Sequence, residues 1–140
     1  MKANITIVYN GQTEEAFNFY RSIFGGDFGR LSRMSETPGA PPLPEDQANK
    51  ILFMDLPIGE NMLMGMDCPA SIPPVNVGNN FMITIDTASE VENTHLFNKL
   101  AEGGDIKMPL AHQFWGAFFG MVTDKFGITW MLSYVNQEQS

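Results

Sequence analysis

The first positions of the chain follow a strand pattern: Ile5-Thr6-Ile7-Val8-Tyr9 is rich in β-branched and aromatic residues and breaks at Asn10-Gly11-Gln12. Thr13 then reads as a helix N-cap ahead of Glu14 and Glu15, and Ala16, Phe19, Tyr20, Ile23 and Phe24 recur at three- and four-residue steps. That spacing predicts a helix with one apolar stripe, closed by Gly25-Gly26, and a new strand from Asp27-Phe28. The same order returns later. Phe81-Met82-Ile83-Thr84-Ile85 reads as a strand, and Thr87 with Glu90 as a capping box. Val91, Phe97 and Leu100 read as apolar helix positions before Gly103-Gly104 and Asp105-Ile106. Ile51 to Met66 and Phe119 to Tyr134 each read as two strands about a tight turn, at Pro57-Ile58-Gly59 and Lys125-Phe126-Gly127. A displacement of 68 residues superposes Gly59 on Gly127.

Four features in one order, twice, predict an α+β fold of two βαβββ modules, 1–67 and 80–136, within one domain spanning 1–136. Segment 68–79 is the connector, its prolines opposed to regular structure, and 137–140 is a tail. A second proline-bearing stretch, 35–49, reads as an irregular loop, either a lid or disordered chain.

Composition narrows the functions. A length of 140 residues suits one core, and ten methionines and eleven phenylalanines suit an adaptable apolar interior. A net charge of -8 with no Lys/Arg cluster argues against nucleic acid as a partner. No apolar run approaches a membrane span and none resembles an export signal, so the expected location is the cytoplasm, with no membrane partner. Cys68, the single cysteine, allows neither an internal disulfide nor a cysteine zinc cage.

The runs Phe114-Trp115-Gly116-Ala117-Phe118-Phe119-Gly120 and Asp124-Lys125-Phe126-Gly127-Ile128-Thr129-Trp130-Met131 resemble the carboxy-terminal signature of PhnB-like proteins. Glu15 to Gly26 resembles the same branch. These proteins belong to the vicinal oxygen chelate superfamily, with glyoxalase I, bleomycin-resistance proteins and extradiol dioxygenases, and are often labelled 3-demethylubiquinone methyltransferase-like. The resemblance implies curved, cup-like mixed sheets with helices on the outside, the glyoxalase/bleomycin-resistance fold. It also implies that metalloenzymes of the group place His or Glu on inward positions of the first and last strand of each module. The methyltransferase label meets an objection in the residues. A nucleotide-type cofactor fold wants a glycine-rich turn between strand and helix, whereas Gly25-Gly26 and Gly103-Gly104 follow helices.

Strand parity gives the inward residues. Trp130 and Leu132 suit packing beneath a helix, which leaves Thr129, Met131 and Ser133 facing the cup. Phe81, Ile83 and Ile85 likewise leave Asn80, Met82 and Thr84. By the repeat and the resemblance, Ile5, Ile7 and Leu63 take the same role in module one, with Phe53 and Asp55 also on the cup side. The positions matching the superfamily's metal ligands are then Ile5, Leu63, Asn80 and Met131, none suited to a divalent cation, so no metal and no cofactor are expected.

Among other candidates, His112 is the one catalytic residue to weigh, three positions before Trp115, although a lone histidine before a strand is usually solvated. His95 reads as a helix-surface residue. Trp115 and Phe118 offer stacking surfaces or an interface, Tyr9 a phenol or a sheet cover, and Asp124 turn geometry. The expected function is a metal-independent module binding a small molecule, aromatic or quinone-like, in a largely apolar pocket. The alternatives are a metal-dependent glyoxalase or dioxygenase-type enzyme and an interaction protein without a small ligand. The Met- and aromatic-rich faces lean towards a homodimer in which both modules contribute to each pocket.

Overall fold

A computed structural model of the chain describes residues 1–39 and 41–136. It separates into two compact units, Met1–Asn76 and Val77–Ser140. The tail 137–140 lies outside the described residues.

The first unit runs β1 (Ile5–Tyr9), α1 (Thr13–Phe24), β2 (Leu31–Arg33), a 3-10 turn (Met34–Glu36), α2 (Glu45–Ala48), β3 (Ile51–Ile58) and β4 (Asn61–Asp67). The expected irregular stretch 35–49 therefore contains one helical turn and part of another. The strands form a sheet in the order β1-β4-β3-β2, with β1 parallel to β4 and the other pairs antiparallel. α1 lies on one face because Ala16, Phe17 and Tyr20 are all fully buried, against Met54 and Leu56 of β3 and Gly65 of β4. Phe17, Met54 and Leu56 each contribute roughly 1.5–3 kcal/mol by leaving water. Gly65 is where the helix comes closest: a Cβ there would lie 2.6 Å from the Phe17 ring.

The start of α1 is secured from afar. No side chain at Gln12 caps it. Asp67, at the end of β4, accepts the Thr13 backbone N–H at 3.0 Å and the Thr13 hydroxyl at 2.6 Å on Oδ1. Its Oδ2 accepts the Ile51 N–H at 2.8 Å. One buried carboxylate thus joins helix, β3 and β4, and supplies an anion at the positive end of the helix. Glu14 of α1 receives both terminal nitrogens of Arg33 on β2, and this bonding raises the Arg33 guanidinium above its ordinary value. Tyr9 is not a ligand phenol. Its hydroxyl lies 2.9 Å from that of Tyr20, buried beneath α1.

The second unit repeats the plan with β5 (Ile83–Asp86), α3 (Glu90–Ala101), β6 (Asp105–His112), β7 (Ala117–Thr123) and β8 (Thr129–Val135), in the sheet order β5-β8-β7-β6. The α+β fold of two βαβββ modules is thereby observed, each a four-stranded mixed sheet with one covering helix. α3 buries Asn93, Leu96, Phe97 and Leu100 against Trp130, Leu132 and Val122. Asp124 organises the β7–β8 loop, as its position before the turn suggested. Its Oδ1 accepts the N–H groups of Phe126 and Ile128 at 2.8 and 3.1 Å, and its Oδ2 accepts the indole N–H of Trp130 at 2.8 Å. No helix among the described residues is long and apolar enough to cross a membrane.

Several local expectations are corrected. β2 starts at Leu31, not at Asp27, because Gly25 and Gly26 both take positive φ and the chain needs further residues to return to the sheet. The cap of α3 is Ser89, whose side chain accepts the Glu92 N–H at 3.0 Å, while Glu92 accepts the Ala88 N–H. Thr87 instead turns its hydroxyl to the carbonyls of Ser89 and Ser133. That two-residue shift rotates the helix so that Val91 is 82% exposed and the stripe begins at Asn93. Phe81 precedes β5 and is 64% exposed rather than packed under α3.

Candidate functional site

Cross-strand register fixes which residues share a face, since directly paired residues point the same way. In the first unit β1 and β4 pair Ile5 with Leu63, Ile7 with Gly65 and Tyr9 with Asp67. Gly65 and Asp67 meet α1, so Ile5, Ile7 and Leu63 also face the helix. The expectation that these three line a cup is corrected. The residues turned away from α1 are Thr6 and Val8 of β1, Phe53 and Asp55 of β3, and Met62, Met64 and Met66 of β4.

The cause lies in the turns. The β3–β4 hairpin closes through Gly59 and Glu60 alone, between the paired residues Ile58 and Asn61. The β7–β8 hairpin has five residues, 124–128, between Thr123 and Thr129. Superposing the turn glycines across loops of unequal length shifts β4 by one residue against β8, and one residue exchanges the faces of a strand. The register that matches the two units sets Thr6 opposite Met64 and Thr84 opposite Met131.

In the second unit parity holds. Gly120 lies under Phe97 of α3, and Leu132 pairs with it, so Trp130 and Leu132 face the helix. Thr84, Thr129, Met131 and Ser133 are turned away, beside Met121 and Phe119, which the sequence reasoning did not single out. Trp115 sits in the β6–β7 turn with its ring 5.6 Å from that of Phe119, in line with the same face. Asn80 and Met82 belong to no strand. They precede β5 and are exposed, so their assignment to the strand face is also corrected.

His112 stands apart from these residues. It ends β6, pairs with Phe118 and so lies on the α3 side of the sheet. Its ring is 4.8 Å from that of Phe118, and its Nε2 is 3.4 Å from the Glu90 carboxylate at the start of α3. With Gly116, Tyr134 and Asn136 these residues line a shallow cleft of about 80 Å³, room for only a few heavy atoms. His95 is on the exposed side of α3.

The polar chemistry of the first unit's face turned away from α1 centres on Asp55. This residue is 4% exposed, and its Oδ2 accepts the Arg30 Nε–H at 2.8 Å while Arg30 lies 5.0 Å over the Phe53 ring. Arg30 carried no signal in the sequence, because it lies in the irregular stretch before β2. As for metals, the corrected register offers Thr6 and Met64 in one unit and Thr84 and Met131 in the other, neither pair a fit for the oxygen and imidazole ligands that a vicinal oxygen chelate metal takes. Among the described residues no three His, Cys, Asp or Glu side chains converge.

Comparison with known proteins covers nearly the whole chain. A family model described as 3-demethylubiquinone-9 3-methyltransferase matches residues 1–133. Protein YjdN of Escherichia coli strain K12 is 27% identical over 139 residues, covering 93% of this chain and 92% of its own. Protein PA1353 of Pseudomonas aeruginosa has a solved structure at 33% identity and a TM-score of 0.85, covering 96% of this chain and 98% of that one. A PhnB protein of Bacillus cereus, titled a putative 3-demethylubiquinone-9 3-methyltransferase, shares the fold at 23% identity with a TM-score of 0.77, over 96% of this chain and all of that one.

Proposed function

The chain belongs to the family described as 3-demethylubiquinone-9 3-methyltransferase, the PhnB-like branch of the vicinal oxygen chelate superfamily, and we propose that it is a metal-independent binder of a small aromatic or quinone-like molecule. The observation that carries this is the face of the first unit turned away from α1: half-buried Val8, Phe53, Met62, Met64 and Met66 around one buried carboxylate, Asp55. Thioethers and a phenyl ring suit a flat apolar body, and a single polar group suits its orientation. In the second unit Met121, Met131 and Phe119 with Thr84, Thr129 and Ser133 repeat the composition.

Methyl transfer is not part of the proposal despite the family's description. The strand-to-helix connections, Asn10-Gly11-Gln12 and Thr87-Ala88-Ser89, are short and lack the glycine pattern that seats a nucleotide-type cofactor. Nor is catalysis by His112, whose contacts are Glu90 and Phe118 on the other side of the sheet. A net charge of -8 argues against a polyanionic partner, and the proposed location is the cytoplasm. The proposed assembly is a homodimer, supported by large apolar residues left in water on the second unit, Phe114 at 97% and Trp115 at 55% exposure foremost.

A thermal-shift screen with substituted phenols, quinones and aryl ethers tests the reading. At least one class is expected to raise the melting temperature in proportion to concentration. No shift with any of them overturns small-molecule binding, and a stoichiometric transition metal in protein purified without chelator overturns metal independence. Sedimentation equilibrium at micromolar concentration is expected to give twice 15.6 kDa; a single species at 15.6 kDa removes the dimer.

A further inference from the structure

We propose that Asp55 is the polar recognition residue of the first unit's face turned away from α1 and that it selects aromatic ligands carrying a phenolic O–H, so that a phenol or hydroquinone binds more tightly than a quinone or aryl ether of the same outline. This rests on the small-molecule reading above and deepens it.

Three carboxylates are buried among the described residues: Asp55, Asp67 and Asp124. Asp67 and Asp124 have hydrogen bonds to both oxygens, and each ties parts of the fold together. Asp55 differs. Its Oδ2 is held by Arg30, its backbone N–H donates to the Arg30 carbonyl and its carbonyl accepts from Gly29, but its Oδ1 is buried with no partner. Buried polar atoms without partners are uncommon, and each is costly to the fold. Nothing structural uses this one.

The environment of that oxygen defines what would use it. Asp55 is paired across the sheet with Met64, and Phe53 lies on the same face with the Arg30 guanidinium over its ring. The salt bridge from Arg30 holds the carboxylate in one orientation through Oδ2. An ionised carboxylate only accepts hydrogen bonds. Oδ1 is closed to water, so an O–H reaches it only as the half-buried, flexible Met64 side chain moves aside; there it satisfies Oδ1, whereas a carbonyl or ether oxygen in the same place puts lone pairs against lone pairs. The same geometry distinguishes the reduced from the oxidised form of a quinone, because only the hydroquinone carries the donor.

The test is a pair of NMR titrations of the full chain with 2-methoxyphenol and 1,2-dimethoxybenzene, which differ by the methyl group that removes the donor. A hydrogen bond to a charged group predicts that the phenol binds the wild-type chain about tenfold to a hundredfold more tightly than the ether. Asp55→Asn should shrink that ratio and Asp55→Leu abolish it, the ether gaining affinity as the opposed lone pairs are removed, with folding checked by the amide spectrum. Equal affinity of the two probes for the wild-type chain, the result expected if a fixed water satisfies Oδ1, overturns the role of Asp55 and leaves small-molecule binding standing. A preference that persists in Asp55→Leu does the same. No saturable shift with either probe removes the binding reading itself, and this inference with it.

Discussion

Replacing Gly127 by valine is expected to destabilise the protein by clearly more than replacing Gly59, although both glycines turn a hairpin at positive φ, +89° and +56°. Forcing a β-branched residue into the left-handed region costs about 1–2 kcal/mol. At Gly59 that is the whole cost, because a Cβ there meets nothing within 4 Å. At Gly127 the angle lies beyond the left-handed well, and a Cβ would come 2.8 Å from Cγ1 of Val77. The surrounding loop is also tightly bonded. The Gly127 N–H donates to the Asp124 carbonyl at 2.9 Å, and the amides on either side donate to the Asp124 carboxylate. Relieving the overlap adds about 1–3 kcal/mol, whether by displacing Val77 or by stretching those bonds. The expected totals are therefore about 2–5 kcal/mol for Gly127→Val and about 1–2 kcal/mol for Gly59→Val. Urea unfolding followed by tryptophan fluorescence reads this directly, since Trp130 is fully buried beside the loop. Gly127→Asn separates the two contributions, because asparagine tolerates positive φ but keeps the Cβ that overlaps Val77. Equal midpoints for the two valine variants, or a larger loss at Gly59, would refute the description of both turns.

Asp67→Ala leaves the Thr13 amide, the Thr13 hydroxyl and the Ile51 amide without their acceptor, and should cost about 3–5 kcal/mol in urea unfolding; a loss below about 1 kcal/mol would show that the carboxylate is not the cap of α1. Asp124→Asn keeps the shape but removes the charge that holds the Trp130 indole, so the indole emission should change and stability fall by about 1–3 kcal/mol; an unchanged spectrum and midpoint would contradict the contact. Gly65→Ala should lower the melting temperature through about 1–3 kcal/mol of overpacking against Phe17, and a stabilised variant would mean that α1 does not lie where described.

Much of the architecture was legible because period and punctuation agree. β1 begins and ends where the alternation does, α1 ends before Gly25, and the two later hairpins appear in the expected stretches. What failed did so for identifiable reasons. Leu63 and Met64 are both apolar, so composition cannot tell which of them faces α1, and the choice passed to a glycine alignment that loops of two and five residues make misleading. In β8 the size of Trp130 decides the face, and there the parity was correct. Thr87 and Ser89 are equally good caps on paper, and the carbonyl of Ser133, 46 residues away, takes the Thr87 hydroxyl. Phe17 reads as one apolar residue beside a stripe, yet it is completely buried, because the sheet narrows to a glycine beneath it. The distant pairing of Asp67 with Thr13 and the stranded Oδ1 of Asp55 have no local signature.

The carboxylate that secures α1 has a consequence for how the two like units acquire their structure. Ser89 is three residues from the amide it caps, whereas Asp67 is 54 residues from Thr13. The first turn of α3 can form as soon as its own segment is free to coil, but the first turn of α1 must wait until β4 has been brought back beside β1. In rate terms, loss of the Ser89 cap should slow folding, while loss of the Asp67 contact should mainly hasten unfolding. Two copies of one architecture would then mature in opposite order, helix before sheet in the second and sheet before helix in the first, with amide exchange at the start of α1 the last to become protected.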